Sequence, residues 1–218
     1  MRALSQFSDD GQWWWDGTTW VATAHVVLPQ LPLTEFERSG RLEKARGRRK
    51  NAERLEWARG IVSLTWLAAS ALLVVGNLAS RDYRSWTLEQ LALATAYLLG
   101  PDEPMLAGEG GTLNVDQFHR PTWRADLAVA ITAAHVLVLR IDSVDGQPRW
   151  IALAARSSDV TIEVLRGLRT TPEGIVVSPD LVVSGWNGQW TIPGTNWFKP
   201  DPVLEAWRQA TNGTVNTG

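Results

Sequence analysis

The chain has no cysteine, which excludes disulfides, thiol nucleophiles and Cys-ligated metal centres in any compartment. Histidine is scarce too. His25, His119 and His135 sit in three separate segments, without the HExxH-type spacing that sets two imidazoles on one side of a metal. Each reads as a surface or internally satisfied residue, and no metal site is expected. Neither sign of charge dominates, with 21 Lys and Arg against 23 Asp and Glu. A dedicated nucleic-acid binder draws its affinity from a net basic surface, so no nucleic-acid partner is expected. Catalytic signatures are missing as well. There is no G-x-S-x-G elbow, and "GEGGTLN" at 108–114 fits neither the Walker spacing nor a full G-x-G-x-x-G. Its Glu109 would repel a phosphate, and the stretch reads as a turn. The carboxylate pairs Asp9–Asp10 and Asp102–Glu103 lie in turn-like sequence and need no raised pKa to explain them. The expectation is a protein that is not an enzyme and carries no cofactor.

Tryptophan is what the chain has in excess, and four of its 13 copies fall within "SDDGQWWWDGTTW" at 8–20. Asp16-Gly17 supplies the positive φ that a two-residue hairpin turn needs, which predicts Trp13 opposite Trp20 and Trp15 opposite Thr18. Side chains alternate along a strand, so Trp14 and Thr19 take the other face. Asp10-Gly11 marks a second turn, and the segment reads as a small meander running on to Val27. Cross-strand indole contacts of roughly 0.5–1.5 kcal/mol each would hold so small a sheet together. Two readings follow: a structural staple, or an indole face docked on a partner or a membrane interface, with Trp13, Trp14, Trp15 and Trp20 as the candidate interaction residues.

Downstream, "LPQLPL" at 28–33 reads as an extended linker. Thr34-x-x-Glu37 fits a capping box that Ser39-Gly40 interrupts at once, and a polar, basic helix is predicted over 41–59. It leads into "GIVSLTWLAASALLVVGNLAS" at 60–80, an uncharged run as long as a membrane span. Ser63, Ser70 and Asn77 lie a heptad apart on one stripe, as suits helix contacts in lipid. The alternative is a hydrophobic helix buried in a protein core. Nine basic residues between Arg38 and Arg59 precede the run, whereas Arg81 and Arg84 follow it soon after. This asymmetry predicts a cytoplasmic N-terminus, with Arg46, Arg48, Arg49, Lys50 and Arg54 placed for lipid headgroups. "SWTLEQLALATAYLLG" at 85–100 is a second helix, too short to span, that would lie at the interface, pack on the first, or return as a re-entrant arm.

From Pro104 the pattern shifts to short apolar runs at strand spacing, with turns near Ala133, at Asp145-Gly146 and at Asn187-Gly188. Asp201-Pro202 opens a closing helix that turns Val203, Leu204 and Trp207 inward. About seven strands and a terminal helix fit an antiparallel barrel or bent sandwich.

Two resemblances add to this reading. "DGQWWWDGTTW" resembles the short Trp-Asp-Gly-x-x-Trp module of unknown function found at the ends of many bacterial membrane proteins, over about residues 5–25. "LAVAITAAHVLVLRI" (127–141) and "WTIPGTNWFKPDPVLEAWRQ" (190–209) are similar to the bacterial pleckstrin-homology-like (PH-like) domain, which implies a binding or scaffolding module. The expected fold class is α+β. It comprises a Trp-rich β-hairpin (1–27), a linker and basic helix (28–59), a hydrophobic membrane helical segment (60–100), an antiparallel PH-like barrel with closing helix (104–210), and a loose tail (211–218). The functional expectation is a noncatalytic, membrane-anchored binding or scaffolding protein of the bacterial inner membrane, with membrane lipids and a protein as partners. The alternative is a soluble, cytoplasmic protein that binds a small ligand or lipid and buries its hydrophobic helix.

Overall fold

The structure is a computed structural model, and it describes residues 7–44, 84–110, 113–115, 121–123, 127–142, 147–171, 174–192 and 200–215. At its centre lies an antiparallel sheet in the order β3-β6-β7-β8, formed by Ala107–Gly110, Leu127–Ile131, His135–Ile141 and Pro148–Arg156. Val136, Leu137, Val138 and Leu139 of β7 are all fully buried, so this strand faces protein on both sides. That is why "VLVL" shows no polar alternation. A bulge in β8, where Val138 pairs with Leu153 but Leu139 with Ile151, resets the alternation. Ile151 and Ala154 therefore share one core, whereas Leu153 and Ala155 share the other.

The first core is closed by helix α2 (84–99), through Leu91, Ala94 and Leu98, and by the N-terminal segment, through Phe7, Trp14, Val26, Leu28 and Leu31. The second is closed by a three-stranded sheet in the order β11-β10-β9 (Gly188–Ile192, Gly174–Gly185, Thr161–Thr171) and by helix α3 (Pro200–Val215). Ile162, Leu181, Val183, Ile192, Val203 and Ala206 fill that space against Val129 and Ile131. Leu113–Val115 (β4) and Pro121–Trp123 (β5) make a separate hairpin. Trp207 anchors α3 by donating its indole N–H to the Ser157 carbonyl at 3.1 Å. The helix continues to Val215, past the end at 210 that the sequence predicts.

Among the described residues no sheet closes into a barrel, which corrects the PH-like barrel expected from the sequence. The outer edge of β8 is occupied instead: Val27 bridges Trp150, and the Leu28 N–H donates to the Arg149 carbonyl at 2.7 Å. A 3-10 turn at Ser157–Asp159 then carries the chain from the four-stranded sheet to the three-stranded one. The result is two packed, open antiparallel sheets within an α+β fold.

Among the described residues no helix is long and apolar enough to cross a membrane, which corrects the expectation of a membrane-anchored protein. Helix α2, for which the sequence leaves open an interfacial place, packing on the preceding helix or a re-entrant arm, lies against the central sheet with Leu91, Ala94 and Leu98 fully buried. Its polar side chains are used inside the protein. Glu89 Oε2 accepts from the Phe36 N–H at 2.9 Å, and Gln90 Nε2 donates to Glu37 Oε2 at 3.1 Å. The lipid partners and inner-membrane location rest on the expected span and lose their basis with it. The run 60–80 itself, and Arg46, Arg48, Arg49, Lys50 and Arg54, lie outside the described residues.

Helix α1 (Glu35–Arg38) forms where the capping box predicts it. Thr34 Oγ1 accepts from the Glu37 N–H at 3.1 Å while Glu37 Oε2 accepts from the Thr34 N–H at 2.8 Å. Gly40, at φ +69°, ends it after a single turn.

Candidate functional site

The hairpin that carries the clustered tryptophans pairs β1 (Trp13–Trp15) with β2 (Trp20–Ala22), with Trp15 opposite Trp20 and Trp13 opposite Ala22. The sequence predicts a tighter turn, with Trp13 opposite Trp20. The difference lies in Asp16, whose Oδ1 accepts from the Thr18 N–H at 2.7 Å, the Thr18 hydroxyl at 2.7 Å and the Thr19 N–H at 2.8 Å. Those bonds wrap residues 16–19 around the carboxylate and make a four-residue loop more favourable than a two-residue one. The Thr19 N–H, then the Thr18 hydroxyl and N–H, hold the Asp16 carboxyl below the usual carboxylate range. The slip is two positions, an even number, so Trp13, Trp15 and Trp20 still share one face and Trp14 takes the other, while Thr18 and Thr19 move into the loop.

Upstream, Ser8 and Asp10 organise the turn before β1. The Ser8 hydroxyl donates to Asp10 Oδ1 at 2.5 Å and accepts from the Trp13 N–H at 3.0 Å, while the Gln12 N–H donates to the same Asp10 oxygen at 3.0 Å. The Ser8 hydroxyl, followed by the Gln12 N–H, keeps the Asp10 carboxyl below its ordinary range. Gly11, at φ +69°, presses its backbone onto β8: a Cβ there would stand 1.9 Å from the Ala154 carbonyl oxygen. Thr23 locks the same turn, its hydroxyl donating to the Gly11 carbonyl at 2.8 Å.

Trp14 turns inward, is 8% exposed, and donates its indole N–H to the Leu98 carbonyl of α2 at 3.3 Å. Its ring lies 6.0 Å from that of Tyr97. Trp13 and Trp20 turn outward, 47% and 49% exposed. Trp15 is half-buried and meets Trp20 at a ring separation of 5.5 Å and an angle of 57°, a tilted contact that fixes the Trp20 ring. Ser8, Trp13 and Trp20 line an open groove of about 390 Å³. Of the four predicted interaction residues, three thus share the outer face and the fourth anchors them.

A second polar cluster was not visible in the sequence. His135 Nδ1 lies 2.7 Å from Glu103 Oε1, and the Thr132 hydroxyl donates to the same oxygen. Thr132 Oγ1 also accepts from the His135 N–H at 2.8 Å, closing the β6–β7 turn. Burial raises the Glu103 pKa, but the hydrogen bonds from His135 and Thr132, the His135 charge and the Ala134 backbone together outweigh it, and the carboxyl stays below its usual range. "Thr-Ala-Ala-His" is legible as a turn. The reach to Glu103, 32 residues away in the chain, is not. A further carboxylate, Glu109, is almost fully buried on β3 rather than in a turn, and Arg84 at the start of α2 meets it at 2.7 Å. Both groups fasten α2 and its following loop to the central sheet. Among the described residues no three His, Asp or Glu side chains converge as a metal site would require.

Compared with protein-family models and with curated proteins, the sequence matches none.

Proposed function

We propose that this protein is a noncatalytic binding module whose recognition surface is the outer indole face of its N-terminal hairpin. The observation that carries this is the division of labour among neighbouring tryptophans: Trp14 is locked into the core while Trp13 and Trp20 stay half-exposed beside an open groove. Exposed indoles on a rigid platform lose little conformational entropy on binding, and each offers a large area to bury. Aromatic anchors of this kind carry much of the energy at recognition sites. This reading keeps the binding role expected from the sequence and drops the lipid anchor. It fits the small-ligand alternative in so far as the site is a groove of molecular size rather than a broad flat patch.

Selection of a random displayed-peptide library on the protein tests it. Binding clones should lose the protein when Trp13 and Trp20 are both changed to Ala, yet keep it when the remote, exposed Trp150 is changed to Ala. Clones that bind the Trp13→Ala/Trp20→Ala protein undiminished would overturn the proposal.

A further inference from the structure

We infer that the groove between Trp13 and Trp20 takes a cationic peptide, an arginine guanidinium stacking on the exposed indoles while Asp10 and Asp16, in the turns at either end of β1, supply the negative field. This rests on the proposed recognition face and names its ligand chemistry. Residues 7–27 contain three aspartates, Asp9, Asp10 and Asp16, and no lysine or arginine. Asp9 pairs with Arg156. Asp10 and Asp16 have no basic partner among the described residues. Both carboxylates are held in place by hydroxyl and backbone donors, and both stay ionised well into the acidic range. Asp10 is one hydrogen bond from the groove, through the Ser8 hydroxyl that lines it. Asp16 sits in the loop that joins Trp15 to Trp20.

Geometry and electrostatics agree on the occupant. Trp13 and Trp20 are diagonal neighbours on one face of an antiparallel pair, which sets such positions about 7–8 Å apart. Indole is the most favourable aromatic partner for a cation, and the guanidinium combines a flat shape with a permanent charge and donors for carboxylates. Phosphate-bearing partners meet two fixed negative charges and are repelled. An uncharged peptide gains the stacking but leaves the field of Asp10 and Asp16 unused.

The test titrates the full chain with four matched heptapeptides carrying arginine, its uncharged isostere citrulline, lysine or glutamate at the same three positions. Affinity is read by calorimetry, and the site by the indole N–H resonances of Trp13 and Trp20. The arginine peptide should bind, shift both indole signals, and exceed the citrulline peptide by about tenfold or more, with lysine between them. Asp10→Asn/Asp16→Asn keeps an acceptor oxygen in each turn while removing the charge, and should weaken the arginine peptide by about tenfold with little effect on citrulline. Equal affinity for arginine and citrulline, with both indoles shifted, would overturn the cationic ligand and leave the recognition face standing. If no peptide shifts either indole, or if the arginine peptide binds Trp13→Ala/Trp20→Ala unchanged, both fall.

Discussion

Trp13 and Trp14 are adjacent in the chain and do opposite things, because a strand turns successive side chains to opposite faces. Only the inward indole has a large share in stability. Trp14→Ala removes a buried ring and its hydrogen bond to the Leu98 carbonyl, and should cost about 3–5 kcal/mol, lowering the thermal midpoint by many degrees. Trp13→Ala on the outer face should shift that midpoint little. A melting experiment in which both variants fall equally would show that the outer indole is structural too. This distinction was half legible: the alternation of "WWW" separates Trp14 from its neighbours, but nothing in those three letters tells which face the protein covers. That is settled by Leu98 and Tyr97, more than 80 residues away in the chain.

At the scale of the element, loop chemistry sets the hairpin. Asp16 is exposed, yet three donors converge on its carboxylate. Asp16→Ala removes the acceptor that closes residues 16–19, and amide hydrogen exchange should speed up across 13–22 while the strands β6 to β8 exchange as before. Unchanged exchange across 13–22 would mean that the Trp14 anchor alone sets the register. Helix α1 shows the same local logic, with one addition. Its capping box lies wholly within residues 34–37 and was readable, but the N–H of Phe36 is satisfied by Glu89 from α2. Glu89 of α2 thereby caps a neighbouring helix.

Across the whole molecule, three layers are tied together by few but specific polar contacts. The Glu103 carboxyl joins the loop after α2 to the β6–β7 turn through His135 and Thr132. Its pKa is lowered in the folded state, so the native protein binds the carboxyl proton less readily than the unfolded chain does. Its contribution to stability is therefore fully present above the ordinary glutamate value of about 4.3 and is lost as pH falls through the lowered native value. Glu103→Gln should cost about 1–2 kcal/mol at neutral pH and should flatten the loss of stability below pH about 4. Denaturant midpoints measured from pH 7 to pH 3 check both parts. Parallel curves for the two proteins would assign the acid sensitivity to other carboxylates.

The sequence alone determined whatever depends on neighbours within a few residues. Examples are the capping box at Thr34 and Glu37, the alternation that segregates Trp14 from Trp13, Trp15 and Trp20, and the strands between residues 127 and 192. Tertiary structure decided which apolar surfaces meet. The sequence predicts helix α2 as a short apolar helix that could lie in lipid. It is a core helix because β6, β7 and β8 are apolar on both faces and need a cover on each. The same demand brings Phe7, Trp14, Val26, Leu28 and Leu31 onto that sheet, and Val27 and Leu28 then take the edge of β8 that a closed barrel would need. Hydropathy records how much a segment gains by leaving water. It does not record whether lipid or a sheet receives it, and that choice is made only when the layers assemble.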